Sequence, residues 1–230
     1  MIDLDGYGGS LILGMVNTIK LSGYSLGIGL FLGLVGAVSK LSRYKVLRVV
    51  ADGVTTTIRG IPELLFILAV YLGSSVLIND MARSLGYEDY IEINAFCAGV
   101  IALSVVFGAY ATEVFRGAIQ AVAKGQIEAA HAFGMTSFVT FKRVVLPQMW
   151  RIALPGIGNL FMVLLKNTAL LSVIGVQELM RYTGSAVGYT KKPFVFYLAA
   201  TCLYLIMTSI SMVGIAWLEK RAGRGAKKVI

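Results

Sequence analysis

Five stretches of this chain carry no Asp, Glu, Lys or Arg: residues 21–39, 64–79, 93–112, 152–165 and 193–218. A helix needs roughly 20 apolar residues to cross about 30 Å of hydrocarbon. Three stretches meet that length directly or nearly so. The other two meet it by absorbing a few polar residues. The second then runs from about Thr55 to Asn79 and takes in Arg59 and Glu63; the fourth runs from about Ile152 to Val176 and takes in Lys166. Lipid offers the backbone N–H and C=O groups no partners, so each stretch is expected to cross as a helix. The pattern predicts an all-α membrane protein. It forms one domain over residues 1–230, with spans at about 11–39, 55–79, 93–112, 152–176 and 193–218. Ahead of the first charge-free stretch, Leu11, Ile12, Leu13, Met15, Val16 and Ile19 repeat at helical spacing. They predict an interfacial helix over Gly9–Lys20 that leads into the span, with Lys20 snorkelling at the boundary.

Composition removes the main rival classes. Of 230 residues, 57% are hydrophobic and 14% charged, and the mean hydropathy is +0.77. A soluble domain carries about 25% charge, so a soluble enzyme, a soluble nucleic-acid binder and a disordered chain are all excluded. Cys97 and Cys202 both lie inside apolar stretches and form no CxxC pair. They read as small apolar side chains. The acidic start, Met1-Ile2-Asp3-Leu4-Asp5, lacks the positive region of a cleavable signal peptide.

The net charge of +9 is unevenly placed. Lys40, Arg43, Lys45 and Arg48 follow the first span. Arg116, Lys124, Lys142, Arg143 and Arg151 follow the third. Lys220, Arg221, Arg224, Lys227 and Lys228 follow the fifth. The opposite side holds only Arg83, Arg181, Lys191 and Lys192, while Lys20, Arg59 and Lys166 sit in or beside spans. Cytoplasmic loops carry the excess of Lys and Arg. The N-terminus is therefore expected outside, the C-terminus inside, and the acidic group Asp80, Glu88, Asp89 and Glu92 outside. The basic tail reads as topogenic charge and attraction to anionic lipid, not as a nucleic-acid site.

Some motifs are decoys. Gly23-Tyr24-Ser25-Leu26-Gly27 spells a nucleophile elbow. That motif needs a strand-to-helix turn, and the only histidine, His131, lies in a distant loop. Gly27, Gly29 and Gly33 lack the strand and the spacing of a dinucleotide loop. Gly29-x-x-x-Gly33 reads instead as a small-residue face for close helix packing. There is no Walker A sequence, and no His/Cys/Asp cluster suited to a metal.

The loop from about 113 to 147 is too apolar and too helical for a simple linker. Two short amphipathic helices joined at Gly134 fit it. They form either a grip for a cytoplasmic partner or a helix lying on lipid. Glu128-Ala129-Ala130, then Gly134 after three intervening residues, then Val144-x-Leu146-Pro147 after nine more, resembles the EAA motif of ABC importer permeases, with Val144 in place of Ile. The resemblance implies a coupling helix that docks on a cytoplasmic ATPase. Arg59-Gly60-Ile61-Pro62-Glu63-Leu64-Leu65, and Lys166-Asn167-Thr168-Ala169-Leu170 with Ser172-Val173-Ile174-Gly175, are similar to segments of polar amino-acid permeases, with Ala169 where Ser is common. The opening Asp-Gly-Tyr and the R-G-I-P-E-L-L spelling most resemble the Q-type subunit of histidine/lysine/arginine/ornithine and opine importers.

The same residues point physically to a substrate path. An ionisable group inside a membrane costs roughly 3 kcal/mol on insertion scales and commonly marks a pathway. Gly60 and Pro62 should interrupt the second span and free backbone groups for a cavity. Asn167, Thr168 and Ser172 add short polar groups on the fourth, and Lys166 lies ~21 Å along it. Glu63, Asn167, Thr168 and Ser172 are the candidate lining. Arg59 and Lys166 are candidate gating or structural groups, and Arg59 and Glu63 could instead pair with one another.

The expectation is an all-α, multi-pass inner-membrane permease subunit of a type I ABC importer for amino acids, and basic amino acids or opines in particular. The chain is not expected to be an enzyme, nor to hold a cofactor, ATP and Mg belonging to the ATPase. The resemblance implies a second homologous permease subunit, two cytoplasmic ABC ATPase subunits and an extracytoplasmic amino-acid-binding protein. The rivals are an ion-driven secondary transporter, a hydrolase built on Ser25, and a permease of the same family for another polar solute.

Overall fold

The computed structural model describes residues 4–87 and 89–223. Asp3 of the acidic start, and Glu88, Arg224, Lys227 and Lys228 used above to orient the chain, lie outside the described residues. The elements are α1 (Gly8–Lys40), α2 (Lys45–Gly60), α3 (Glu63–Ser84), α4 (Ala95–Gln120), α5 (Lys124–Ala132), α6 (Ser137–Thr140), α7 (Leu146–Asn167), α8 (Leu179–Thr190) and α9 (Pro193–Ala222). A π turn over Phe141–Val145 joins α6 to α7, and a 3₁₀ helix over Thr168–Ile174 continues α7. Among the described residues no strand occurs. Five helical runs are long and apolar enough to cross a membrane: Gly8–Lys40, Glu63–Ser84, Ala95–Gln120, Ser137–Ile174 and Pro193–Ala222.

Three boundaries depart from the hydropathy pattern. Gly9–Lys20 is not a separate interfacial helix; α1 runs unbroken for 33 residues, because nothing between Gly8 and Lys40 breaks the backbone ladder. The helix expected from Thr55 to Asn79 is two helices. α2 ends at Gly60, Ile61 and Pro62 are extended, and α3 starts at Glu63. Proline forces the residue before it out of the α region, so the interruption is a full break. The helical run that holds the fourth span begins well before Ile152, at Ser137. Pro147 brings no N–H, and the segment just before it is wound as a π turn in which the Leu146 amide bonds the Phe141 carbonyl. The Gln148 side chain donates to the Val144 carbonyl at 3.0 Å.

α4 is the most enclosed span, and α1 packs along it. A Cβ added at Gly33 would lie 2.7 Å from Ala111 Cβ, and one added at Gly29 would lie 3.0 Å from the Ser104 carbonyl oxygen. The small-residue face read from Gly29 and Gly33 is thus the seam between the two helices. Three polar residues on these helices are satisfied within their own turns: Ser22 bonds the Thr18 carbonyl, Ser104 that of Val100, and Thr112 that of Gly108.

α8 had no signal in the hydropathy pattern. It is capped by Glu178, which is fully buried. Its Oε1 accepts from the Arg181 amide at 2.7 Å, and its Oε2 accepts from the Met180 amide at 2.9 Å and from the Tyr204 hydroxyl at 3.4 Å. The Leu179 amide donates to Thr18 Oγ1, and Asn17 Nδ2 to the Gln177 carbonyl. α8 is thereby fastened to α1 and α9. Burial pushes the Glu178 carboxyl up to about 7, against the pull of the hydrogen bonds from Met180, Arg181 and Tyr204.

Two outcomes follow. Gly33→Val should cost about 1–3 kcal/mol through overpacking at the seam, read as a lowered melting temperature in detergent. Gly23→Ala, where an added Cβ meets nothing within 4 Å, should be near neutral. For Glu178, the folded protein holds the proton more tightly than the unfolded chain. The stabilisation this gives is complete below the ordinary value of 4.5 and is lost as pH rises through about 7. Between about pH 5 and pH 8 the wild type should therefore lose on the order of 2 kcal/mol relative to the non-titrating Glu178→Gln variant. A constant gap in melting temperature would contradict the raised value.

Candidate functional site

The break at Ile61–Pro62 puts Glu63 in the first turn of α3. The unpaired N–H groups and the dipole of a helix start favour a carboxylate there. Glu63 borders a cavity of about 210 Å³ between α3, α4 and α7. Leu103, Val106, Phe107 and Tyr110 of α4 form one wall, and Leu160, Val163, Leu164 and Asn167 of α7 form another. The surface is mainly apolar, with one carboxylate, one amide and one phenol. Among the described residues, no Lys or Arg forms an ion pair with Glu63.

The other candidates sit elsewhere. Arg59 does not bridge Glu63. Its guanidinium lies 3.7 Å from Glu113 and 5.3 Å from the Tyr110 ring centroid. Lys166 is next to Asn167 in sequence, but successive helical residues diverge by about 100°. It lines a separate groove against α9 with Met162, Ala169, Thr201, Tyr204 and Thr208. Thr168 is fully buried and donates to the Leu165 carbonyl; Ser172 donates to that of Ala169. Only Glu63 and Asn167 of the six are brought together in the cavity wall. Sequence reasoning missed Tyr110 and the α4 wall, because apolar cavity walls look like any other apolar helix face. Ser25 is buried and donates to the Val100 carbonyl, with no histidine beside it.

At the far end of α4, α5 and α6 form the expected hairpin. α5 ends in a Schellman arrangement: Met135 N–H bonds the Ala130 carbonyl, and Gly134 N–H bonds that of His131. Gly134 has φ +77, the left-handed region that favours glycine. Thr136 caps α6 through the Val139 amide. Glu128 and Ala129 are exposed and Ala130 is buried. Phe133 is 85% and Phe138 74% exposed, flanking the turn. Two bare phenylalanines make this tip apolar, and the acid-and-alanine spelling alone did not point to them. Leu146 and Pro147 begin α7, beside Trp150, Arg151 and Arg221.

Membrane-length helices packed around a small polar-lipped cavity, with a helical hairpin projecting from one end, place the chain among transmembrane permeases. Residues 26–224 match the binding-protein-dependent transport system inner membrane component, and the chain belongs to that family. It is 44% identical over 223 residues to the nopaline transport system permease protein NocQ of Agrobacterium fabrum, covering 96% of this chain and 94% of that protein. It is 42% identical over 225 residues to the histidine/lysine/arginine/ornithine permease HisQ of Salmonella typhimurium, covering 98% of each. It is 44% identical over 210 residues to the arginine permease ArtQ of Haemophilus influenzae, covering 90% of each. The fold matches the crystal structure of an amino acid ABC transporter with histidines at TM-score 0.79 and 35% identity, over 94% of this chain and 95% of that one. It matches the MetNI methionine transporter at TM-score 0.76 and 18% identity, over 93% and 96%, which speaks to fold alone.

The protein is therefore an inner-membrane permease subunit of an ABC importer, which works with ATPase and binding-protein partners and is not itself an enzyme. The ion-driven transporter and the Ser25 hydrolase are set aside.

Proposed function

We propose that this chain lines one half of the pathway of an ATP-driven importer for basic amino acids or opines. The observation that carries the reading is Glu63, a carboxylate without a fixed cation on the wall of an otherwise apolar cavity, faced by Asn167. An unpaired carboxylate at membrane depth is costly unless something compensates it, and a cationic side chain or the α-ammonium of a substrate does so. The relatives support this reading: they are named for arginine, for histidine/lysine/arginine/ornithine, for nopaline and for octopine. Arg59, Thr168 and Ser172 hold the structure around this path, and Lys166 lies away from it in the groove against α9.

The family supports a reading of the rest of the machine. A second homologous permease completes the pathway, two ABC ATPases carry ATP and Mg, and an extracytoplasmic binding protein delivers the substrate. The N-terminus lies outside and the hairpin and C-terminus lie in the cytoplasm, as the Lys and Arg distribution supports. The hairpin from Glu128, Ala129 and Ala130 through Gly134 to Leu146 and Pro147 docks on an ATPase, with Phe133 and Phe138 as its apolar anchors. ATP-driven closure moves the hairpins, and the spans rock between outward and inward openings.

Glu63→Gln keeps the volume and removes the charge. In proteoliposomes holding the full complex, it should reduce uptake of arginine, ornithine or lysine about ten-fold, the effect of roughly 1.4 kcal/mol, and reduce neutral substrates less. Equal losses would make Glu63 structural, and no loss would move selectivity to a partner. Gly134→Val must hold a β-branched residue at φ +77, at a cost of about 1–3 kcal/mol. It should insert normally but lose ATPase on co-purification. Wild-type yield of ATPase would refute the docking role.

A further inference from the structure

At the hairpin end of the bundle, one carboxylate gathers cations from three helices. Glu113 of α4 accepts a hydrogen bond from Lys40 at the end of α1. It binds Arg116 one turn further along α4, Nε to Oε2 at 2.9 Å and Nη2 to Oε2 at 2.8 Å. It also lies 3.7 Å from Arg59 in the last turn of α2. The Lys40 side chain is only 5% exposed and reaches a second acid, Asp52 of α2, at 2.8 Å. α2 has no apolar socket here. Its one buried residue is Thr55, while Val46, Val49, Val50 and Val54 are exposed. Its grip on α4 includes this ion cluster and the Arg59–Tyr110 contact.

The position of the cluster matters more than its size. Four residues after Arg59 comes Glu63, beyond the extended Ile61–Pro62 break, and Tyr110 lines the same cavity. On the other side, α4 ends at Gln120 and the hairpin begins at Lys124. Glu113 thus stands between the root of the hairpin and the strap that carries the cavity's carboxylate. We propose that Glu113 is a positioning residue for energy coupling: it clamps the α2–α3 strap to α4, so that a displacement of the hairpin moves Glu63 and the cavity wall with it. This rests on the reading of the cavity as substrate path and of the hairpin as ATPase dock. The physical basis is that nearly buried Lys40 makes charge-assisted bonds to Glu113 and Asp52, while the partly exposed Arg59, 3.7 Å from Glu113, adds Coulomb attraction between α2 and α4. Removing the acid leaves Lys40 buried with Asp52 alone and leaves Arg59 without an ionic anchor on α4.

The test measures ATP hydrolysis and substrate uptake in the same proteoliposomes of the complete complex. Glu113→Gln should keep ATPase co-purification at wild-type yield. It should raise ATP hydrolysed per substrate moved at least about five-fold, the lower end of ordinary coupling between sites, and hydrolysis should depend less on loaded binding protein. Glu113→Asp should recover part of the ratio. A merely structural role would lower yield and both rates together and leave the ratio alone; that result overturns the clamp. If Glu113→Gln does not assemble, Arg59→Met cuts only the α2 branch and must raise the ratio too; a normal ratio there also overturns it. Glu63→Gln run in parallel separates the two ideas. Unchanged uptake in that variant removes the pathway reading on its own, whatever the Glu113 ratio shows.

Discussion

Lipid gives two apolar helices no hydrophobic reason to meet, so close approach has to supply the attraction through dispersion and shape. In this protein that constraint falls on the seam between α1 and α4. Gly29 and Gly33 leave notches that the α4 surface fills, and no side chain larger than hydrogen fits beside Ala111. The rest depends on this contact. Phe107 fits the notch at Gly29 and is also part of the cavity wall. The seam therefore fixes one side of the cavity while α7 supplies another. The same packing brings Lys40, at the end of α1, to Glu113.

A second constraint sorts the polar residues. Ser22, Ser104, Thr112, Thr168 and Thr183 all return their hydroxyl protons to a carbonyl three or four residues back. Such groups are already satisfied and offer little to a solute. Asn79 closes the turn after α3 by bonding both ways with Ile91. Polar residue type within a span is thus a poor guide to the path. What distinguishes Glu63 and Asn167 is that they line a space.

The five crossings were legible in the sequence because charge-free length is a strong signal. So was the hairpin turn, because Gly134 is needed for a left-handed residue. What escaped was set by backbone winding and tertiary partners. The polar set of Asn167, Thr168 and Ser172 was read on α-helical spacing, but the chain changes to a 3₁₀ helix at Thr168, with Thr168, Leu171 and Ile174 on its buried face. The break at Gly60 and Pro62 is legible, but the span expected from Thr55 includes Arg59, whereas the long apolar run begins only at Glu63. Arg59 then turned to Glu113, a residue 54 positions away that no local pattern links to it. α8 was hidden because its anchor, Glu178, looks like an ordinary loop acid until Tyr204, Thr18 and the α8 amides close around it.

The two buried or half-buried acids, Glu113 and Glu63, show how position decides what a charge is for. Glu113 sits on α4 itself, and Glu63 borders a cavity walled by the middle of that helix. Glu113 is well compensated: its two oxygens meet three cations. Glu63 has only its place in the first turn of α3, where the helix dipole favours a carboxylate. A helix start contributes about 0.3–1 kcal/mol at exposed sites and up to about 2 kcal/mol where partly buried, below the roughly 3 kcal/mol of an intramembrane charge on insertion scales. Under the pathway proposal the remainder comes from water or from the cationic group of a substrate. On that proposal, a lysine placed permanently beside Glu63 would satisfy the acid and remove its attraction for the substrate.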